Sequence, residues 1–122
     1  MADALRRGGV VDISTTGRKT GKARRIEIVF HNLDGDFYIS GRPGPRDWFA
    51  NMLADPSFTL HLRRGLDVDL RAISEPVTDA ESREPLLLRI LTEGFKVELE
   101  EAKERLPTWT AEAPLVKFVI ED

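Results

Sequence analysis

Cysteine is absent from the 122 residues, which excludes disulfides, thiolate nucleophiles and thiolate metal sites. Histidine is scarce: His31 and His61 are the only two. Each stands on the polar side of an alternating run, with no second histidine or close carboxylate at ligand spacing. The expectation is therefore ordinary surface histidines and no metal site. No apolar run approaches the roughly 20 residues that cross a bilayer, and the start MADALRRGG lacks the apolar core of a signal peptide. A cytoplasmic protein without an integral membrane segment is expected. The pattern GxSxG is missing, so a Ser-His-Asp hydrolase is rejected despite the presence of those residue types. GxxxxGK[ST] is missing too, which excludes a P-loop.

What is present is ordinary in bulk and uneven in sign. Hydrophobic residues make up 41% and charged residues 32%, the composition of a folded globular chain, read as one domain over residues 1–122. The net charge is only −3. Yet residues 1–25 hold seven Lys/Arg against two acids, whereas residues 79–122 hold eleven acids against six bases. The basic end is a plausible anion site, while the chain as a whole is too acidic for a nucleic-acid binder.

The basic end is concentrated in Ser14 to Arg25, STTGRKTGKARR, with Gly17, Gly21, three threonines and the cations Arg18, Lys19, Lys22, Arg24 and Arg25. Alternating apolar runs flank it, so it reads as a hairpin between two strands. Such a loop offers backbone N–H groups, hydroxyls and positive charge together, as a phosphate or polycarboxylate requires. The plainer reading is a solvated basic tip.

Taken in order, residues 1–9 read as a short helical start ended by Gly8 and Gly9. Strands follow at Val10–Ser14, Arg24–Leu33 and Phe37–Gly41, with a turn at Asn32–Asp36. The stretch Arg42–Arg46 (RPGPR) is a rigid loop, and Asp47–Ala54 a short helix stopped by Asp55-Pro56. Phe58, Leu60 and Leu62, then Leu66, Val68, Leu70 and Ala72, alternate as a hairpin turning near Gly65. Thr78-Asp79-Ala80-Glu81 matches a capping box. The helix behind it is expected to be interrupted at Pro85, to run on to Thr92 and to be capped by Gly94. A charged helix over Phe95–Leu106 closed by Pro107, and a last strand over Leu115–Ile120, complete the chain. This pattern fits a small antiparallel barrel with helical additions.

Other candidates are weighed against plainer roles. Asp67 and Asp69 share a strand face, read as an outward face neutralised by Arg71 rather than an acid–base pair. Glu98, Glu100, Glu101 and Glu104 read as a solvated helix face. Trp48 on a short helix reads as core, although its place directly after the Pro/Gly/Arg loop also suits a ligand wall.

Four ordered motifs carry a family resemblance: TTGRKTGKARR, the hairpin after it, SGRPGPRDW, and Trp48, Phe49, Asn51, Met52, Ala54, Asp55 and Pro56 in FANMLADP. Over roughly residues 13–80 the chain resembles the deazaflavin (coenzyme F-420)-dependent nitroreductase family. The resemblance implies a mainly β, α+β fold, a split antiparallel β-barrel of the FMN-binding type with short helices. It implies a reductase using reduced F-420 on a small-molecule acceptor, a quinone, nitroaromatic or enone. In the family the basic loop holds the phosphate and oligoglutamate tail, a role that carries over to Arg18, Lys19, Thr20, Gly21, Lys22 and Arg24. Ser40, Gly41, Arg42, Pro43 and Gly44 correspond to the second loop, and Trp48 to the aromatic wall beside the ring. No catalytic side chain is implied, because the deazaflavin carries the redox chemistry. Departures are Ile26-Glu27 in place of Asn-Pro, a shorter stretch over Pro43–Asp47, and Phe95 with an acidic helix in place of a Tyr-rich segment. The alternative kept open is a non-catalytic carrier barrel for FMN, a haem-type tetrapyrrole or a lipid. A homodimer is compatible with either reading.

Overall fold

The computed structural model describes residues 2–62 and 67–121; the expected turn near Gly65, with Leu66, lies outside them. Six strands close into a barrel: β1 (Gly9–Thr16), β2 (Ala23–Leu33), β3 (Asp36–Ser40), β4 (Ser57–Leu62), β5 (Val68–Pro76) and β6 (Leu115–Ile120). Around the barrel they run β1-β2-β3-β6-β5-β4, with β4 returning to β1. Every pairing is antiparallel. Helix α1 (Ala2–Arg7) precedes β1, and α2 (Asp47–Ala54) joins β3 to β4. Between β5 and β6 lie α3 (Ala80–Arg89), a π-helical turn at Ile90–Gly94, and α4 (Leu99–Glu112). No helix among the described residues is long and apolar enough to cross a membrane.

The period-2 pattern of the sequence decides what fills the barrel. Val11 and Ile13, Phe30, Ile39, Phe58, Leu60 and Leu62, Ala72, and Val116 and Phe118 all point inward and are buried. Phe118 is the hub, with ring centroids 6.1 Å from Phe30 and 5.4 Å from both Phe37 and Phe58. Full burial of each such side chain contributes about 1.5–3 kcal/mol before entropy is counted. Trp48 and Met52 of α2 join this cluster. A second apolar layer lies outside the barrel, where Leu33, Tyr38 and Leu115 meet Leu87, Ile90, Leu91, Ala102 and Trp109.

The helical region departs from the sequence expectations in four places. The N-cap of α3 is Asp79, whose carboxylate accepts from the Ser82 N–H at 2.9 Å; the Thr78–Glu81 capping box does not form. The helix passes through Pro85 without a break and continues as the π-helical turn. The next helix starts at Leu99 rather than Phe95 and runs through Pro107 to Glu112. An interior proline costs a helix about 3 kcal/mol, so α4 continues only because tertiary contacts hold its last turns. Trp109 and Ala113 are buried there. Arg83, itself buried, donates from Nε to Thr110 O (2.8 Å), from Nη2 to Trp109 O (3.2 Å) and Ala113 O, and from Nη1 to Val77 O (2.8 Å). The Thr110 and Ala113 carbonyls at the end of α4 are thereby satisfied by one guanidinium, while Trp109 O also accepts from the Ala113 N–H at 2.9 Å. The exposed Glu98, Glu100, Glu101 and Glu104 do form a solvated face.

His31 also corrects the sequence reading: it is 5% exposed rather than a surface residue. The helices of the second layer cover that side of β2, so a position polar by alternation becomes interior. The imidazole lies edge-on to Phe95 at 5.1 Å, and its Nε2 has no partner. Gly94 is required here by space rather than as a left-handed cap, since a Cβ at that position would collide with the His31 ring. Burial pushes the His31 pKa down from 6.5 to about 4.

Two expectations follow from this interlock. Gly94→Ala should destabilise the fold by about 1–3 kcal/mol through overpacking, and His31→Ala in the same chain should return part of that loss. Strict additivity in a double-mutant cycle by urea denaturation would refute the contact. The folded-state pKa of His31 lies below its unfolded value, so the unfolded chain binds the extra proton between them. Its contribution is therefore complete above pH 6.5 and is lost as pH falls toward 4. Wild type should lose about 2 kcal/mol between pH 7 and pH 5 relative to His31→Leu, measured as the difference between their unfolding curves.

Candidate functional site

The basic hairpin is tighter than its sequence suggests. β1 extends to Thr16 and β2 begins at Ala23, so the turn is only residues 17–22, and Arg24 and Arg25 are strand residues. Gly17 N donates to Lys22 O at 2.8 Å, Gly21 N to Gly17 O at 2.7 Å, and Lys22 N to Thr20 Oγ1 at 3.2 Å. Gly21 takes φ +72°, a conformation that costs glycine least. The turn thus consumes much of its own hydrogen-bonding capacity and leaves the side chains of Lys19 and Lys22 exposed.

Facing it is α2, whose Asn51 is only 3% exposed. Asn51 Oδ1 accepts from Arg18 N (3.1 Å) and Arg18 Nη1 (2.9 Å), and Asn51 Nδ2 donates to Thr15 Oγ1 (3.1 Å). Arg18 Nη2 lies 3.4 Å from the exposed carboxylate of Asp47. Hairpin and helix enclose an open pocket of about 380 Å³, whose lining includes Arg18, Lys19, Thr20, Arg24, Trp48 and Asn51. Lys19, Lys22, Arg24 and Arg42 form no ion pair among the described residues, while Arg25 bonds Asp12 at 3.0 Å on the outer face. The pocket therefore carries a net positive rim on one side and an indole on the other.

Of the residues singled out by resemblance, Arg18, Lys19, Thr20, Arg24 and Trp48 are brought together. Gly21 and Lys22 belong to the same turn without lining the pocket. Gly41 lies against Trp48, and Ser40 precedes Gly41 at the end of β3. Ser40 is buried, its Oγ donating to Gly41 O at 3.1 Å, and a methyl group on Gly41 would lie 3.3 Å from Trp48 Cζ2. Arg42 is exposed, and Pro43 follows it in the loop. Gly44 is tied to the end of α4 (Gly44 N to Glu112 O, 3.1 Å) and lines a separate groove with Pro45, Phe49 and Arg83. Glu27 pairs in register with Asp12 and does not line the pocket. Sequence reasoning gave no role to Asn51; the available signal was an amide on the apolar side of a short helix.

His61 is the second correction. It is 8% exposed, with Nδ1 2.7 Å from Asp69 Oδ1 and Nε2 2.8 Å from Ser14 Oγ. Serine, histidine and aspartate therefore do stand in relay order, on neighbouring strands. Hydrolysis needs more than that order. Ser14 lies mid-strand, and residues 13–15 are paired with both β2 and β4. The ladders take the backbone N–H groups that would have to bind an oxyanion. The relay instead ties β1, β4 and β5 across the outer face, and Asp69 is bound to His61 rather than left to Arg71.

Comparison with known proteins agrees with the barrel. A solved structure described as an F420 reductase superposes with TM-score 0.69 at 17% identity, over 98% of this chain and 92% of that one. A conserved hypothetical protein of Mycobacterium tuberculosis gives TM-score 0.75 at 16% identity, over 99% and 78%. A putative pyridoxamine 5'-phosphate oxidase of Listeria innocua gives 0.71 at 10%, over 99% and 90%. These likenesses establish the split-barrel fold. None of the curated proteins matches the chain significantly. The family model for F420H(2)-dependent quinone reductase matches residues 2–93, about three quarters of the chain, and the chain belongs to the F420H(2)-dependent quinone reductase family.

Proposed function

We propose that this reductase binds reduced F-420 in the pocket between the basic hairpin and α2 and passes its reducing equivalents to a quinone, nitroaromatic or enone. The observation that carries the reading is a set of cations without carboxylate partners beside a buried tryptophan. A deazaflavin with an anionic tail and a planar ring asks for that donor set, and the residues present fit it. Lys19, Lys22 and Arg24 hold the phosphate and carboxylates, with the Thr20 hydroxyl as a further donor; charge-assisted bonds of this kind are roughly twice as strong as neutral ones. Trp48 walls the ring side. Gly41 lies against its indole, and Ser40, Arg42, Pro43 and Gly44 belong to the loop that flanks it, outside the pocket lining.

When bound, the reduced deazaflavin supplies two electrons and a proton as a hydride equivalent. The chain's own part is to bind, orient and exclude water. Among the described residues lining the pocket the only carboxylate is Asp47, which is 92% exposed and beside Arg18. The lining thus offers no buried proton donor, and the acceptor takes its balancing proton from solvent.

Charge reversal of Lys19 and Lys22 to Glu should weaken F-420 binding strongly and remove most of its salt dependence, because exposed ionic contacts are screened. Unchanged affinity in a fluorescence titration, or tight binding of FMN in place of F-420, would overturn the assignment. Trp48 also belongs to the barrel core, and truncation to Ala would cost about 3–5 kcal/mol of stability, so Trp48→Phe is the informative variant. Menadione or nitroaromatic turnover should fall roughly tenfold to a hundredfold from ring misplacement, with a modest change in Kd for F-420. Lost binding with turnover per bound F-420 intact would show that Trp48 serves packing alone.

A further inference from the structure

The cations of the hairpin are not equivalent. Arg18 is engaged twice by the buried Asn51, through its backbone N–H at 3.1 Å and its Nη1 at 2.9 Å, and Nη2 faces Asp47 at 3.4 Å. Asn51 is in turn oriented by Nδ2 donating to the buried Thr15 Oγ1 at 3.1 Å. The amide is thus committed on both sides, its oxygen to the turn and its nitrogen to the strand leading into it. The side chains of Lys19, Lys22 and Arg24 have no such commitments among the described residues.

We propose that Asn51 is a positioning residue, that Arg18 acts as an internal strut, and that ligand anions are held by Lys19, Lys22 and Arg24. The ligand part of this assignment rests on the F-420 reading above. The physical basis is geometric. A guanidinium has a fixed planar fork of donors, and two edges of this one already face Asn51 and Asp47. The Arg18 N–H cannot join an anion nest while it donates to Asn51. Fixing one residue of a six-residue turn to a helix also removes ordering cost that a free loop would incur when a ligand binds. Asn51 therefore raises affinity without touching the ligand.

Salt dependence separates a strut from a direct contact, because a contact with the ligand anion is screened by ions whereas a bond within the protein is common to free and bound states. Lys19→Gln should flatten the plot of log Kd for F-420 against log salt. Arg18→Gln should raise Kd while leaving that slope as in wild type. Asn51→Leu leaves two donors of Arg18 and one acceptor unpaired and should weaken binding roughly tenfold to a hundredfold. Asn51→Asp keeps an acceptor for Arg18 and should stay near wild type. A readout free of ligand accompanies these: limited trypsin digestion should cut the 18–24 segment of Asn51→Leu faster than that of wild type or Asn51→Asp. Loss of slope in Arg18→Gln equal to that in Lys19→Gln would overturn the strut, as would equal trypsin resistance of Asn51→Leu. If wild type binds no F-420, the functional reading falls, and digestion alone still decides the clamp. If Asn51→Leu does not fold, the Arg18→Gln slope decides it.

Discussion

Closure of the sheet is the constraint on which the remainder of this structure depends. β1 pairs with β4 and β3 pairs with β6, and both pairings join strands that are distant in the chain. Each carries a loop-closure cost that local hairpins escape, but together they leave no unpaired sheet edge among the described strands. They also fix where α2 lies. Because α2 links β3 to β4, the return of β4 to β1 sets the helix against the basic hairpin, and Asn51 meets Thr15 across 36 residues of sequence. The pocket is a product of that closure.

The barrel is packed from both sides, and the outer layer shows the greater tension. Its helices contain two prolines and a π-helical turn, whose Gly94 has the His31 ring of β2 wedged against it. Local propensity would break this region, and long-range contacts hold it. Arg83 gathers carbonyls from the segment before α3 and from the end of α4, a use of one buried cation that needs no carboxylate because helix C-terminal carbonyls carry partial negative charge. On the outer face of β1, β4 and β5 the Ser14–His61–Asp69 relay does comparable work with two hydrogen bonds in series.

The site itself combines a rigid floor with an adaptable rim. Trp48 and Asn51 sit on a helix whose buried side belongs to the core, so their positions are set to the precision of core packing. The lysines at the rim are exposed and long; in the F-420 binding proposed above they follow the tail's negative charges under screening by salt, and the indole side selects the planar ring. One glycine, Gly41, is kept small by the approach of Trp48 and Pro114, which joins the second loop to the same wall.

The sequence by itself determined the strands, the short helix at Asp47–Ala54, the basic hairpin and the family, because period-2 alternation, turn residues and motif spacing are local properties of the chain. It also located most of the cations and the tryptophan. Tertiary structure decided the rest. His31 and His61 stand where alternation predicts solvent, yet helices cover one and a carboxylate with a hydroxyl encloses the other. Pro107 marks a helix end by propensity and is overridden by Arg83, Trp109 and Ala113. Arg18 looks in sequence like its neighbours Lys19 and Lys22, and it becomes a different kind of residue only because barrel closure places Asn51 within 2.9 Å of its guanidinium. Burial and partnership are relations between distant segments, and no window of sequence contains them.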